Sequence, residues 1–444
     1  MAEQDPPAAK VNVSGRQARR RKGRKGKVRP QVAGTATGKV RPDGARSAEA
    51  GAAPREEKSH AGPASPIQSA PPDTVQRPAV DRSGFGQAST RQDGSRQSYA
   101  AIDLGTNNCR LLIARPSGEN FTVIDAFSRV VRLGEGLAQS GRLSDEAMER
   151  TLSALRVCAE KLRRRNVLLA RSVATEACRR AENGLEFIER VRKETGIALD
   201  IISAREEARL AVLGCHVLLE DGLGPAMIFD IGGGSTELVL IESTGTVPRI
   251  LDWQSVPWGV VSLSESCGRE GASEAERLER YRHMRGLVSG SFSPFARRIA
   301  PARENAADHG ALRLLGTSGT VTTLASLHLE LPQYDRRMVD GLIVPAESMR
   351  GISSRLSTMS IEKRRELNCI GRERADLVVA GCAILEAILD LWPAARLGVA
   401  DRGIREGILR SLIASHGSAR GQAADGAIPV RLGKEAMRQA EAGR

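Results

Sequence analysis

From Tyr99 onward the chain alternates between short apolar runs and longer amphipathic stretches. Tyr99-Ala-Ala-Ile-Asp103 predicts a strand, and Cys109-Arg-Leu-Leu-Ile-Ala114 predicts a second, joined by the turn-like Gly105-Thr-Asn-Asn108. Phe121 to Val131 predicts a third. Ser144 to Arg165 predicts a helix: Ser144 caps it, and Met148, Leu152, Leu155 and Ala159 share one face. A strand at 168–174, a helix at 185–195, a strand at 199–203 and a helix at 206–219 follow. The pattern then restarts with Ala226-Met-Ile-Phe-Asp230, the turn Gly232-Gly-Gly-Ser235, the strand Glu237-Leu-Val-Leu-Ile241 and a further strand at 249–256. A charged helical stretch at 273–299 leads to a strand at 311–315, the turn Gly316-Thr-Ser-Gly319 and a helix from about Val321. Helices at 346–358 and 374–391, a short strand at 397–399 and a helix at 404–413 complete the pattern.

The restart is an internal repeat. Asp103-Leu-Gly-Thr-Asn-Asn-Cys-Arg-Leu-Leu-Ile113 aligns without gaps on Asp230-Ile-Gly-Gly-Gly-Ser-Thr-Glu-Leu-Val-Leu240, with the Asp, a Gly and a Leu identical in place. The offset of 127 residues is about one domain's length. Two domains of similar topology are predicted, at 98–222 and 223–415, each giving one loop to the cleft between them. Residues 1–97 and 416–444 show no apolar periodicity and are expected to be disordered tails.

Charge sharpens this division. Residues 1–100 hold 19 Lys/Arg against nine Asp/Glu, a net of +10 out of +13 for the 444-residue chain. Arg16 to Arg29 forms a dense basic run without aromatics, so base stacking is not indicated. The run reads as a contact for RNA, polyphosphate or another polyanion, or as a solvated tail with no dedicated partner. The seven cysteines are scattered without a CxxC pair, which fits reduced thiols and a cytoplasmic protein. No apolar run is long enough to span a membrane, and a homodimer is the default assembly.

The two loops carry the candidate chemistry. A tight turn of small residues presents successive backbone N–H groups that can wrap phosphate oxygens. An aspartate at the end of each preceding strand projects into the same cleft, and magnesium is commonly held by one or two carboxylates plus substrate phosphates. One such segment alone reads as a hairpin turn; two at equivalent places favour a phosphate site. No P-loop pattern and no H-E-x-x-H occur, and no histidine is followed by Asp.

Asp103-Leu-Gly-Thr-Asn-Asn-Cys-Arg110, Thr175-Glu-Ala-Cys-Arg179, Ser203-Ala-Arg-Glu-Glu-Ala-Arg209 and Asp230-Ile-Gly-Gly-Gly-Ser-Thr-Glu237 resemble the exopolyphosphatase/guanosine-pentaphosphate phosphatase family. Gly316-Thr-Ser-Gly-Thr320 and Gly403-Ile-Arg-Glu-Gly407 extend the resemblance over roughly 99–415. It implies an α/β fold of two ribonuclease H-like domains from the acetate and sugar kinase, heat-shock chaperone and actin superfamily, with the active site in the interdomain cleft. It also implies a Mg²⁺-dependent hydrolase of inorganic polyphosphate or guanosine pentaphosphate. Glu207 matches the family's catalytic glutamate and would activate water; from the residues alone it reads as a solvated acid in a helix's first turn. Asp103 and Asp230 would hold Mg²⁺. Thr106, Asn107, Asn108, Gly232, Gly233, Gly234, Ser235 and Thr236 would supply phosphate donors. Glu237 would sit near the metal or the water. Arg179 would bind phosphate bidentately, or is one of many surface arginines. Arg110 would neutralise substrate charge, or pair across the cleft.

The first loop departs from the Ser-Asn-Ser-aromatic form of many members. The chain also stops near the end of the second domain, which resembles the short form of the family. Two other readings compete: a small-molecule kinase of the same superfamily, and an RNA-associated, nucleotide-sensing regulator.

Overall fold

The computed structural model describes residues 97–118, 120–243, 247–308 and 312–419. The expected N-terminal tail, its basic run and residues 420–444 lie outside the described residues. The elements in chain order are β1 (Ser98–Leu104), β2 (Asn108–Ser117), β3 (Asn120–Val130), α1 (Leu137–Ser140), α2 (Asp145–Arg164), β4 (Val167–Ala174), α3 (Glu176–Arg180), α4 (Gly184–Thr195), β5 (Asp200–Ile201) and α5 (Ala204–Cys215). They continue with β6 (Pro225–Ile231), β7 (Thr236–Glu242), β8 (Arg249–Val256), α6 (Val260–Ser266), α7 (Glu274–Asp308), β9 (Arg313–Thr317), α8 (Gly319–His328), α9 (Arg336–Val339), β10 (Ile343–Pro345), α10 (Ala346–Thr358), α11 (Ile361–Arg365), α12 (Val378–Leu391), β11 (Arg396–Ala400) and α13 (Ile404–Ala419).

The strands form two sheets, β3-β2-β1-β4-β5 and β10-β11-β9-β6-β7-β8. In each, an antiparallel three-strand meander is followed by a strand parallel to its first member: β4 beside β1, and β9 beside β6. The sequence repeat is therefore a repeat of topology, and both halves are ribonuclease H-like. The registers coincide too. Asp103 pairs with Arg110, and Asp230 pairs with Glu237 at the equivalent place.

β1 and β6 are central and almost wholly buried, as their unbroken apolar sequences require. Helices α2 and α4 cover one face of the first sheet through Leu152, Leu155, Phe187 and Val191. Its other face meets α5 and α13 through Leu210, Ala211, Ile408 and Leu409. The second sheet is covered by α7, α8, α10 and α12 on one side. On its other side lie Ala208, Val212 and Cys215 of α5. Helix α5 thus packs against both sheets, which explains why its sequence is apolar on two faces.

The expected division at 415 does not follow the packing. Helix α13 runs through 415, and its Ile404, Ile408, Leu409 and Leu412 join the core around Tyr99, Ala101 and Leu112 of the first sheet. The chain returns to its first lobe because α5 and α13 pack at glycines. A Cβ on Gly407 would overlap the carbonyl oxygen of Leu210, and one on Gly214 would overlap that of Gly403. The helices α1, α3, α6, α9 and α11 and the edge strand β10, all under eight residues, were not legible in the pattern. The charged helix at 273–299 runs to Asp308 despite Pro294 and Pro301. Among the described residues, no helix is long and apolar enough to cross a membrane.

Candidate active site

The two glycine-bearing turns meet at the seam between the sheets and line a cleft of about 940 Å³. Asp103 and Asp230 enter it from the ends of β1 and β6. Thr106, Asn107, Asn108, Arg110, Gly232, Gly233, Gly234, Ser235, Glu207 and Glu237 also line it. The turns are closed by backbone bonds of one kind: the Gly105 N–H donates to the Asn108 carbonyl and the Gly232 N–H to that of Ser235, both at 2.9 Å.

Glu207 owes its place to α5. Ser203 caps that helix by accepting from the Glu206 N–H, so both glutamates fall in the first turn. Glu206 turns outward to Arg171 and Arg209. Glu207 faces the cleft and is 7% exposed. Arg179 donates from Nη1 and Nη2 to Glu207 Oε2, both at 3.2 Å, and from Nη1 to the Ile202 carbonyl at 2.7 Å. Both bonds to the carboxylate go to one oxygen, which leaves Oε1 able to take a proton from water. Burial pushes the Glu207 carboxyl well above the usual range. Glu237, Asp103 and Asp230 add to this, and Arg179 opposes it.

Two expectations change at this point. Arg179 is not among the residues that line the cleft, and its guanidinium is bonded to Glu207 and to the Ile202 carbonyl. Thr236 is fully buried and donates to the Trp258 carbonyl at 2.6 Å, so its hydroxyl is not offered to a ligand. Glu237 Oε1 accepts from Ser235 at 2.7 Å and Ser255 at 2.9 Å, and burial raises its proton affinity against those bonds.

The structure adds residues that the sequence did not single out. The N-terminus of α8 contributes Ser318, Gly319, Thr320 and Thr323, while Glu176 and Arg374 complete the wall. Ser318 adopts φ 147°, a region that side chains avoid, and accepts from the Thr320 and Val321 N–H groups at 3.2 and 3.3 Å. The third strand–turn unit, Gly316 to Thr320, was visible as a motif. Arg374, expected to open a helix at 374–391, lies ahead of α12 and had no local signal of a role in the site.

A groove of about 2040 Å³ continues from the cleft and is bordered by Arg129, Arg336, Arg372, Arg402 and Arg405. Arg110 and Arg374 belong to both cavities. Among the described residues, Arg110, Arg374 and Arg405 make no ion pair or side-chain hydrogen bond. Burial depresses the proton affinity of Arg374 and Arg405; the like charge of Arg110 adds to this, while Glu406, Asp103 and Asp401 oppose it at Arg405 and Asp401 and Glu373 oppose it at Arg374. Desolvated guanidiniums that are hydrogen-bonded to no acid are suited to receive an anion.

The acids make the complementary demand. Burial raises Asp103, with Arg110 and Arg405 opposing. Burial raises Asp230 to about 8, with Glu237 and Asp103 adding and Arg110 opposing. The buried side-chain oxygens of Asn107 and Asn108 have no hydrogen-bond partner. Among the described residues, no three acids, histidines or cysteines gather closely enough to enclose a metal by themselves. That donor set fits a hydrated Mg²⁺ shared with phosphate oxygens, and does not fit a protein-enclosed ion.

A pH dependence follows. Folded Asp230 keeps its proton up to about 8, whereas the unfolded chain loses it near 4. The folded state binds the extra proton, so stability declines as pH rises across that window. Thermal unfolding of chelator-treated protein is expected to show Tm falling as pH rises from about 4 to 8. Asp230→Asn should flatten the slope; an unchanged slope would place the titration elsewhere.

The profile of the Ppx/GppA phosphatase family matches residues 112–416. The chain belongs to this family. It is 32% identical over 327 residues to Exopolyphosphatase 2 of Mycobacterium tuberculosis, covering 70% of this chain and 98% of that protein. Among solved structures it is similar to an exopolyphosphatase from Cytophaga hutchinsonii, at TM-score 0.62 and 25% identity over 72% of this chain and 98% of that one. The Aquifex aeolicus member of the Ppx/GppA family matches at TM-score 0.57 and 27% identity, over 72% and 98%. The two-sheet fold is the one these structures share.

Proposed function

We propose that the protein is a Mg²⁺-dependent exopolyphosphatase that removes the terminal phosphate of linear polyphosphate, with Glu207 as general base. The observation that carries this reading is the unpaired trio Arg110, Arg374 and Arg405 beside the buried Asp103, Asp230 and Glu207. A cleft lined by buried acids and by arginines that are bonded to no acid suits a polyanion that arrives with its own cation.

In this reading a water lies between Glu207 Oε1 and the terminal phosphorus. Glu207 takes a proton from the water as the new P–O bond forms and the anhydride P–O bond breaks, releasing inorganic phosphate and a chain one unit shorter. A base with raised proton affinity suits this transfer near neutral pH. Backbone N–H groups of 233–235 and the guanidiniums of Arg110 and Arg374 meet charge on the transferring group. Asp103 and Asp230 would hold Mg²⁺, with Asn107 and Asn108 offering neutral oxygens. When bound, the ion supplies charge neutralisation to the phosphate chain.

The arginine-bordered groove favours a long phosphate chain over guanosine pentaphosphate, because its charge continues past the terminal site. Arg374→Met is expected to raise KM for polyphosphate about 10- to 100-fold, the worth of a charged hydrogen bond, with a smaller effect on kcat. Phosphate release with Mg²⁺ should be measured on long-chain polyphosphate, guanosine pentaphosphate and ATP. Fast release from polyphosphate supports the reading. Preference for guanosine pentaphosphate would reassign the substrate, and no release from any of them would sink the hydrolase.

A further inference from the structure

Glu176 is a fifth acid in a cleft meant for anions, and the mechanism above does not use it. It begins the short helix α3 and is 7% exposed. Its Oε2 accepts from the Thr106 hydroxyl at 3.1 Å, and its Oε1 accepts from Arg180 Nη1 at 3.2 Å. The carboxylate sits where the two glycine turns cross. A Cβ on Gly234 would overlap Glu176 Oε2 and lie 2.8 Å from Thr106 Oγ1. The other branch of Thr106 is equally confined, because its Cγ2 lies where a Cβ on Gly134 would be. Thr106 therefore has one place for its hydroxyl, and that place is against Glu176.

A carboxylate paired with arginine can only accept a hydrogen bond. The single hydroxyl hydrogen of Thr106 is committed to it. What Thr106 offers the cleft is an oxygen lone pair, which repels a phosphate oxygen and welcomes a water hydrogen. Thr106, Glu176 and Glu207 line the same cleft, so a water held by the Thr106 oxygen is within the space that the base faces.

We propose that Glu176 is a positioning residue that fixes the Thr106 hydroxyl as an acceptor, so that Thr106 holds the attacking water for Glu207 and does not donate to phosphate. This rests on the hydrolase reading, and it replaces the role first expected for Thr106. The turn keeps its backbone N–H groups for phosphate; its side chain serves the nucleophile.

Arg180 makes the assignment testable. In Glu176→Gln, a donor-only guanidinium draws the amide oxygen to itself and leaves Nε2–H facing Thr106. The amide then donates, and the threonine hydrogen turns into the cleft. Adding Arg180→Met removes that bias at a half-exposed position and lets the amide present its oxygen to Thr106 again. Four variants and a binding measurement decide the matter. Thr106→Val should lower kcat about 10- to 100-fold while KM stays within about twofold. Thr106→Ser should recover most of the rate. Glu176→Gln should resemble Thr106→Val, and Glu176→Gln with Arg180→Met should be faster than Glu176→Gln alone. Calorimetric affinity for a triphosphate analogue with methylene bridges should be unchanged in Thr106→Val.

Weaker analogue binding by Thr106→Val, in step with its loss of rate, would make Thr106 a phosphate donor and overturn the assignment. A double variant slower than Glu176→Gln would reduce Glu176 to a packing role. Wild-type protein that binds the analogue but releases no phosphate would refute the hydrolase reading, and the affinity of Thr106→Val would still test the acceptor role.

Discussion

Glu207→Gln is expected to lower kcat for polyphosphate by a factor of about 10² to 10⁴, the usual contribution of a positioned general base, with little change in KM. The amide has nearly the same shape and keeps an oxygen for Arg179, so the cleft should not collapse. Loss of a buried carboxyl also removes repulsion with Glu237, Asp103 and Asp230, so the variant should be at least as stable as wild type in chelator. The measurement is steady-state phosphate release alongside thermal unfolding. A variant with normal kcat would exclude Glu207 as the base. One that loses both rate and stability would show that the glutamate holds the fold and leave the base unidentified.

Gly407→Ala is expected to have the second large effect, at a position that lines neither the cleft nor the groove. Its added methyl overlaps the Leu210 carbonyl oxygen of the facing helix. Backbone cannot rotate away as a side chain can, so α13 must lift from α5. Overpacking of this kind costs about 1–3 kcal/mol, and a shift of about 1 Å at a catalytic group can slow turnover about 100-fold. Both penalties fall together because α5 carries Glu207 and α13 carries Arg405. Gly214→Ala tests the same seam from the opposite helix, against the Gly403 carbonyl. Unfolding temperature and kcat should drop in both variants. Wild-type values in either would mean the two helices can separate without disturbing the cleft.

The fold was largely legible because its signals are local. β1 and β6 read as apolar runs ending in aspartate, and each turn follows directly, so strand, turn and strand could be placed from a dozen residues. The gap-free repeat around Asp103 and Asp230 carried the two-lobe organisation, and matching registers place Arg110 and Glu237 at equivalent points. Ser144 and Ser203 announced their helices because capping is a short-range bond. The helices α1, α3, α6, α9 and α11 escaped because so few residues cannot display a helical period, and the packing around them decides their conformation.

The site was legible only in part, and the division is physical. The sequence by itself determined which residue types stand at the turns: aspartates at strand ends, small residues whose backbone can approach phosphate, and a glutamate pair at a capped helix start. It also determined that the chain contains two such turns. It could not determine what each polar group is bonded to, because that depends on segments distant in the chain. Only the tertiary structure decided that Arg179 serves Glu207, that Thr236 serves Trp258, and that Glu206 faces Arg171 while Glu207 faces the cleft. Tertiary packing likewise brought Arg374 and Arg405 beside Arg110, and returned α13 to the first sheet through contacts between glycines and carbonyl oxygens. Hydrophobic period and turn chemistry act over a few residues and survive in the sequence. Hydrogen-bond partners and desolvation arise when two lobes close on each other, so they appear only in the folded chain.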